Sequence, residues 1–156
     1  MIFCQPWSVS RANRRWYKYG MDNLSTADRR KTMRSVRSKD TGPEMRIRRI
    51  LHKAGYRYRL HRSDLPGKPD LVFSTRRKVI FVHGCFWHGH HCKKGTPPSS
   101  NKEFWEPKLA RNRERDIENL QKLTKMRWNT LTLWECEIKS MQDTEILELA
   151  VEFLRQ

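Results

Sequence analysis

The sequence predicts an α/β fold: a central mixed β-sheet flanked by helices. Three observations carry this. Two apolar runs, Asp70-Leu71-Val72-Phe73 and Lys78 to Val82, are joined only by Ser74-Thr75-Arg76-Arg77, the pattern of a hairpin. A long helical stretch from Asn101 to Met126 is followed by a strand and then another helix. Helical stretches also precede the hairpin, so cover exists for both faces of a sheet.

The elements follow in order. Residues 1–25 show no clear period and read as an arm. Thr26 to Arg37 is a basic helical stretch with Met33 and Val36 as its few apolar positions. Thr41-Gly-Pro-Glu44 opens the next helix: Thr41 fits the N-cap, Pro43 the first turn, and Glu44 stands where a capping box needs it. Gly55 stops that helix. From Tyr56 to Arg62, Tyr56, Tyr58 and Leu60 alternate with basic residues, as in a half-buried strand. Leu65-Pro66-Gly67-Lys68-Pro69 is a turn into the hairpin, and a loop rich in Pro, Ser and Lys runs from Lys93 to Ser100. On the long helix, Leu109, Ile117, Leu120 and Leu123 fall near one face. Trp128 to Glu135 is a strand with Leu131 and Leu133 on one side, and Thr144 to Leu154 is the closing helix.

Composition narrows the partner. The formal net charge is +16. Residues 1–62 hold 17 Lys/Arg against four acids, whereas residues 63–156 hold 16 against 13. So lopsided a distribution points to a polyanion, with nucleic acid ahead of an anionic membrane. No apolar run reaches transmembrane length, and the first twenty residues lack the apolar core of a secretory signal. The expected organisation is a basic N-terminal arm over residues 1–21, either a disordered segment or an extension ahead of an internal start at Met21, and one domain over residues 22–156. Four cysteines without an export signal point to metal or free thiols rather than disulfides.

The chemistry concentrates in His83 to Cys92, HGCFWHGHHC, at the end of an apolar strand. Cys85, His90, Cys92 and Cys136 form a three-thiolate, one-imidazole set that suits a closed tetrahedral zinc site, with His91 an alternative to His90. Asp70 opens one strand and His83 ends its neighbour. Asp70 and the main-chain carbonyl of Val82 can offer oxygen ligands to magnesium, and His88 or His83 can take a proton from a water attacking phosphorus.

These residues resemble one family closely. Pro69 to Phe73, Val79 to His88, His90 and Cys92, Glu103-Phe104-Trp105 and Trp134-Glu135-Cys136 are similar to the very short patch repair DNA mismatch endonucleases, over about Asp22 to Ile138. The HGCFWH segment is the most specific part of the match. The resemblance implies a restriction-endonuclease-like fold with a structural zinc site. It implies a magnesium-dependent nick 5′ to the thymine of a T:G mismatch, which arises when 5-methylcytosine deaminates. Carried over, Asp70 is the magnesium ligand and Val82 adds its carbonyl. Better-known members have Thr at that position, a change that a main-chain ligand tolerates. His88 is the principal acid/base group, His83 assists, and Glu44 holds metal-bound water, a role that competes with the capping box for the one side chain. Phe86, Trp87 and Trp105 form a wedge beside the mismatch, and Met33 enters from the opposite groove; the alternative, that Trp105 and Phe104 are core of the long helix, stays open for Phe104. Gly89 stands where some members carry a further His, so position 89 is not essential chemistry.

Double-stranded DNA with a T:G mismatch is the implied partner, with mismatch-repair machinery and a cytosine-5 DNA methyltransferase by family logic. A cytoplasmic, nucleoid-associated bacterial monomer with no membrane contact is expected. Two other readings compete: a zinc-stabilised DNA-binding protein without catalysis, and a restriction-type nuclease of another specificity. A pure binder needs neither Asp70 nor His88.

Overall fold

A computed structural model describes residues 38–99 and 101–156. The arm, the basic stretch Thr26 to Arg37 and Met33 lie outside the described residues.

Helix α1 (Gly42–Lys53) starts as its sequence dictates. Thr41 Oγ1 accepts the Glu44 amide at 3.5 Å, and the Glu44 carboxylate accepts the Thr41 amide at 3.3 Å. The helix ends ahead of Gly55. Its buried line is Glu44, Ile47, Arg48 and Leu51, so two of its four inward side chains are charged.

Strands β1 (Arg59–Leu60), β2 (Leu71–Phe73), β3 (Lys78–His83) and β4 (Asn129–Trp134) form one sheet in the order β1-β2-β3-β4. The first two pairings are antiparallel and β3–β4 is parallel, so the sheet is mixed as expected. The hairpin turn is a short 3-10 helix over Ser74–Arg76. The strand expected over Tyr56 to Arg62 shrinks to two residues. Leu60 is exposed, while Tyr56 and Tyr58 pack edge-on against Phe73, and the backbone of His61 (φ 46) leaves the extended region and ends the pairing.

The sheet is buried on both faces, which explains why β2 and β3 read as unbroken apolar runs. On one face Leu71, Phe73, Ile80 and Leu133 pack with Ile47 and Leu51 of α1, Ile138 of α3 (Glu135–Ser140), and Ile146, Ala150 and Leu154 of α4 (Asp143–Arg155). On the other, Val72, Val79 and Phe81 pack with Leu65, Trp128 and Leu123 of α2 (Lys102–Lys125). Leu109 is buried and Leu120 packs against this second cluster, but Ile117 is 56% exposed, a correction to the expected apolar face. At about 100° per residue Ile117 sits roughly 80° off the Leu109 line, whereas Asp116 sits within about 20° of it. Helix α3 was not expected. It starts straight after β4, so Cys136 lies in its first turn rather than at the strand end. Among the described residues no helix is long and apolar enough to cross a membrane.

Candidate active site and metal centre

The turn between β3 and the loop beyond it positions most of the chemistry. His88 N–H donates to the Gly84 carbonyl and His90 N–H to the Cys85 carbonyl at 3.0 Å. Gly89, at φ +62, makes the reversal that this hydrogen bonding needs, a backbone reason for glycine at that position.

One arm of the loop gathers the thiols. Cys85, His90, Cys92 and Cys136 each offer a ligand atom, all within 4.8 Å of one another. His90 is buried and belongs to the group, while His91 is exposed. Cys136 Sγ lies 3.4 Å from His90 Nδ1, and the His90 ring stacks on Trp134 at 4.3 Å between centroids. The thiols differ in acidity. Burial pushes Cys85 up to about 12, and the His90 hydrogen bond pulls Cys92 down to about 6. Three sulfurs and one nitrogen this close fit a tetrahedral divalent ion with bonds of about 2.0–2.3 Å. Since β4 is the last strand in the sheet order, an ion here ties the loop to the sheet edge through Cys136.

The other arm faces a cleft of about 620 Å³ lined by His61, Lys68, Asp70, Val82, His83, His88, Arg115 and Asp116 among others. Asp70 Oδ2 accepts the Val82 amide at 2.7 Å across the hairpin, which pins the carboxylate beside the end of β3. Burial raises its pKa to about 6, against the lowering effect of that hydrogen bond; Glu44 adds to the rise and Arg48 opposes it. A buried carboxylate with one backbone donor fits an oxygen-seeking cation, which would restore its charge balance. The imidazoles of His83 and His88 stack at 3.8 Å between centroids with planes 8° apart. Burial, then the neighbouring His88, pushes His83 down to about 4. His88 Nδ1 lies 2.5 Å from Asp116 Oδ2. An ionised carboxylate only accepts, so Nδ1 is the donor of this pair and Nε2 is the nitrogen that Asp116 does not engage.

The sequence reading did not single out Asp116, His61 or Arg48. Asp116 left a signal: an acid on the inward line of α2 between Leu109 and Leu123. Glu44, for which cap and site compete in the sequence, divides its oxygens between the cap and two neighbouring side chains. Oε2 holds the Thr41 amide, while Oε1 receives Arg48 Nη2 and lies 3.1 Å from His61 Nε2.

The aromatics form one cluster. Phe86 and Trp87 lie 5.1 Å apart, and Trp105 lies 5.1 Å and 6.1 Å from them. Trp105 is 7% exposed, whereas Phe104 is 50% exposed, so Phe104 is not core of the long helix, a correction to the alternative kept open for it. Lys108 places its ammonium 5.2–5.5 Å from the ring centroids of Phe104, Trp87 and Trp105. Asn112 Nδ2 donates to the Trp87 carbonyl at 3.0 Å, tying the loop to α2.

A family profile described as DNA mismatch endonuclease Vsr matches residues 21–94. The chain is 50% identical over 120 residues to the type II nicking enzyme V.XorIIP of Xanthomonas oryzae pv. oryzae, covering 77% of this chain and 88% of that protein. It is 44% identical over 119 residues to the type II nicking enzyme V.NmeAIP of Neisseria meningitidis, covering 76% of this chain and 85% of that one. It is also 40% identical over 116 residues to the DNA mismatch endonuclease Vsr of Escherichia coli, 74% of each chain. With a carboxylate, paired imidazoles and a Cys/His cluster on the segments that carry this likeness, the chain belongs to the Vsr DNA mismatch endonuclease family and is a hydrolytic DNA endonuclease.

Proposed function

We propose that the chain nicks one strand of double-stranded DNA 5′ to the thymine of T:G mismatches left by 5-methylcytosine deamination, with magnesium for hydrolysis and zinc as a structural ion. The observation that carries this reading is the convergence of Asp70, Val82, His83 and the His88–Asp116 pair on one cleft beside the aromatic cluster.

Asp70 and the Val82 carbonyl would hold magnesium, which supplies positive charge against the scissile phosphate. The protein does the rest. Asp116 fixes the tautomer and orientation of His88, so Nε2 takes the proton from the attacking water. His83, kept neutral by its low pKa, stacks on His88 and adds no second positive charge. Both Glu44 oxygens are engaged by the protein, so Glu44 acts as a positioning group that reaches Asp70 through His61. Cys85, His90, Cys92 and Cys136 would be the zinc ligands, and an ion bound there would hold both His88 and the wedge loop in place. No pure binder needs an oriented imidazole beside a buried carboxylate.

Phe86 and Trp87, backed by the largely covered Trp105, form the wedge that probes stacking, with Met33 entering from the other groove. A T:G wobble pair stacks less well than a Watson–Crick pair, so inserting rings there costs less. The fold is of the restriction-endonuclease-like type, with one domain over residues 22–156. A monomer acting at the nucleoid in the bacterial cytoplasm, alongside mismatch-repair proteins and a cytosine-5 methyltransferase, completes the proposal.

Nicking of matched end-labelled duplexes that differ only in T:G against T:A tests it. The T:G duplex should be cut at least tenfold faster, on the T strand, and Trp87→Ala should lose that preference while keeping its zinc. Equal cutting of both duplexes by the wild type would sink the mismatch reading.

A further inference from the structure

Six described residues other than glycine have positive φ: Asp40, His61, Lys68, Arg77, Asn101 and Arg127. Five of them have a local reason. Asp, Asn and His visit the left-handed region more readily than other types. Arg77 closes the 3-10 turn of the hairpin, and Arg127 follows the end of α2, where helices often finish in that conformation. Lys68, at φ 50, has neither reason: it is not a type that favours the region, and no helix ends at it. Packing on both sides imposes the conformation. Lys68 N–H donates to the Leu65 carbonyl at 3.1 Å, and Leu65 and Pro69 are buried. Gly67, at φ +75, sits so close to α2 and β3 that an added Cβ would lie 3.1 Å from Asn119 Nδ2 and 3.2 Å from Phe81 Cε1. Pro69 narrows the choice of the residue before it still further. Two residues beyond Lys68, Asp70 is held by the Val82 amide at 2.7 Å.

The cleft that Asp70, His83 and His88 line is also lined by three cations, Lys39, Lys68 and Arg115. Arg115 Nη2 donates to Asn112 Oδ1 at 3.1 Å. The Lys68 ammonium has no ion pair or hydrogen bond with any described residue. An unpaired, solvated lysine is ordinary by itself. Lys68 differs in its place, two residues from Asp70, and in standing on a backbone held in a disfavoured conformation, which proteins keep where a site needs it.

We propose that Lys68 binds a non-bridging oxygen of the DNA phosphate that is cut, and that the left-handed turn serves to hold its ammonium at the Asp70 end of the cleft. This rests on the reading of that cleft as the place of cutting. Asp70 and Asp116 both line the cleft, so an incoming phosphate meets like charge there. A cation supplied by the protein offsets that repulsion. Lysine suits the task, because its compact ammonium offers three donors and needs no planar register with the phosphate. Negative charge stays on the non-bridging oxygens while water adds to phosphorus, so the same contact favours the attack as well as the binding.

The test is single-turnover nicking, at saturating protein, of a labelled duplex that the wild-type full chain cuts, with Tm measured on the same preparations. Lys68→Gln keeps the turn and loses the charge, and should nick about 10- to 100-fold more slowly. Lys68→Arg keeps the charge and should stay within about fivefold of the wild type. Lys68→Gly should lose as much rate as Lys68→Gln and yet melt no lower than the wild type, because glycine adopts positive φ without strain. Slower cutting by a chain of equal or greater stability is a result that a merely structural lysine would not give. Rates within about threefold of wild type for both Lys68→Gln and Lys68→Gly overturn the proposal. So does a Lys68→Arg chain as slow as Lys68→Gln, since the charge would then not be what the position supplies. A Lys68→Gly chain that melts well below the wild type overturns it too, since the turn would not be strained. Asp70→Asn nicking at the wild-type rate would defeat the reading of the cleft itself, whereas normal nicking by Lys68→Gln beside an inactive Asp70→Asn overturns the role of Lys68 alone.

Discussion

Asp70 pits function against stability. Burial raises its carboxyl to about 6, above the unfolded value of about 3.9. A raised acid opposes folding when ionised, so without magnesium the penalty is full above about pH 6 and fades as pH falls towards 4. Two units correspond to about 3 kcal/mol at most. Asp70→Asn should therefore stabilise the magnesium-free protein at pH 7 by up to about 3 kcal/mol and by little at pH 4, while abolishing nicking. Urea titrations at the two pH values check this. An Asn variant no more stable at pH 7 than at pH 4, relative to wild type, contradicts it. His88 depends on Asp116 in another way. Asp116→Asn keeps the shape but not the charge, and should slow single-turnover nicking by about 10²-fold or more with zinc content unchanged. A rate within threefold of wild type would make the Asp116 contact incidental. At this scale the sequence was informative where residue type is rare. Cys and His crowded into one loop pointed to the cluster that the fold gathers, and a Pro-Asp pair entering a strand pointed to the carboxylate at the cleft. Arg48 and His61 gave no such sign, because basic residues in so basic a chain carry little information until burial singles them out.

Between residues and fold, the loop is held by its backbone as well as by the side chains of the Cys/His group. Gly95 N–H bonds the Cys92 carbonyl at 2.8 Å, and a Cβ on Gly95 would fall 1.8 Å from the His90 carbonyl oxygen, well inside van der Waals contact. Gly95→Ala must push His90 out of the Cys/His group. The expected result is loss of more than half of the bound zinc and about 2 kcal/mol or more of stability, from overpacking plus a broken site. Zinc content by atomic emission and a denaturant titration measure both; full zinc with wild-type stability would show that the loop can shift. Helices and the hairpin were legible because their signals are local: the Thr41–Glu44 box, the apolar runs, the long stretch after Asn101. Helix α3 was not, since Glu135 to Ser140 is too short for periodicity to register. Tyr56 to Leu60 misled because alternation was present, but His61 leaves extended geometry before the ladder can lengthen.

Across the whole molecule, a net charge of +16 and a lopsided distribution act on any duplex before its bases are read. Affinity for a T:G duplex and for a paired duplex should both fall steeply with salt, with similar slopes of log K against log salt, since phosphate contacts are shared. Filter binding between about 50 and 200 mM salt measures the slopes, and a flat dependence would contradict the charge argument. The sheet order explains why one short loop serves so many roles. β3 ends next to Asp70 on one side and next to β4 on the other, so His83 to Cys92 reaches the cleft and the Cys136 edge together. That placement was only partly visible in sequence. The parallel β3–β4 pairing joins residues some fifty positions apart, and only the cysteine at the far end hinted at it. The central claim is that this one cleft, with Asp70 at its floor, does the cutting. Nicking of a T:G duplex in magnesium, with and without a chelator, by wild type and Asp70→Ala measures it most directly. The account predicts nicking by the wild type in magnesium alone, and at least a thousandfold less with the chelator or in Asp70→Ala with zinc retained. Undiminished nicking by Asp70→Ala would contradict it.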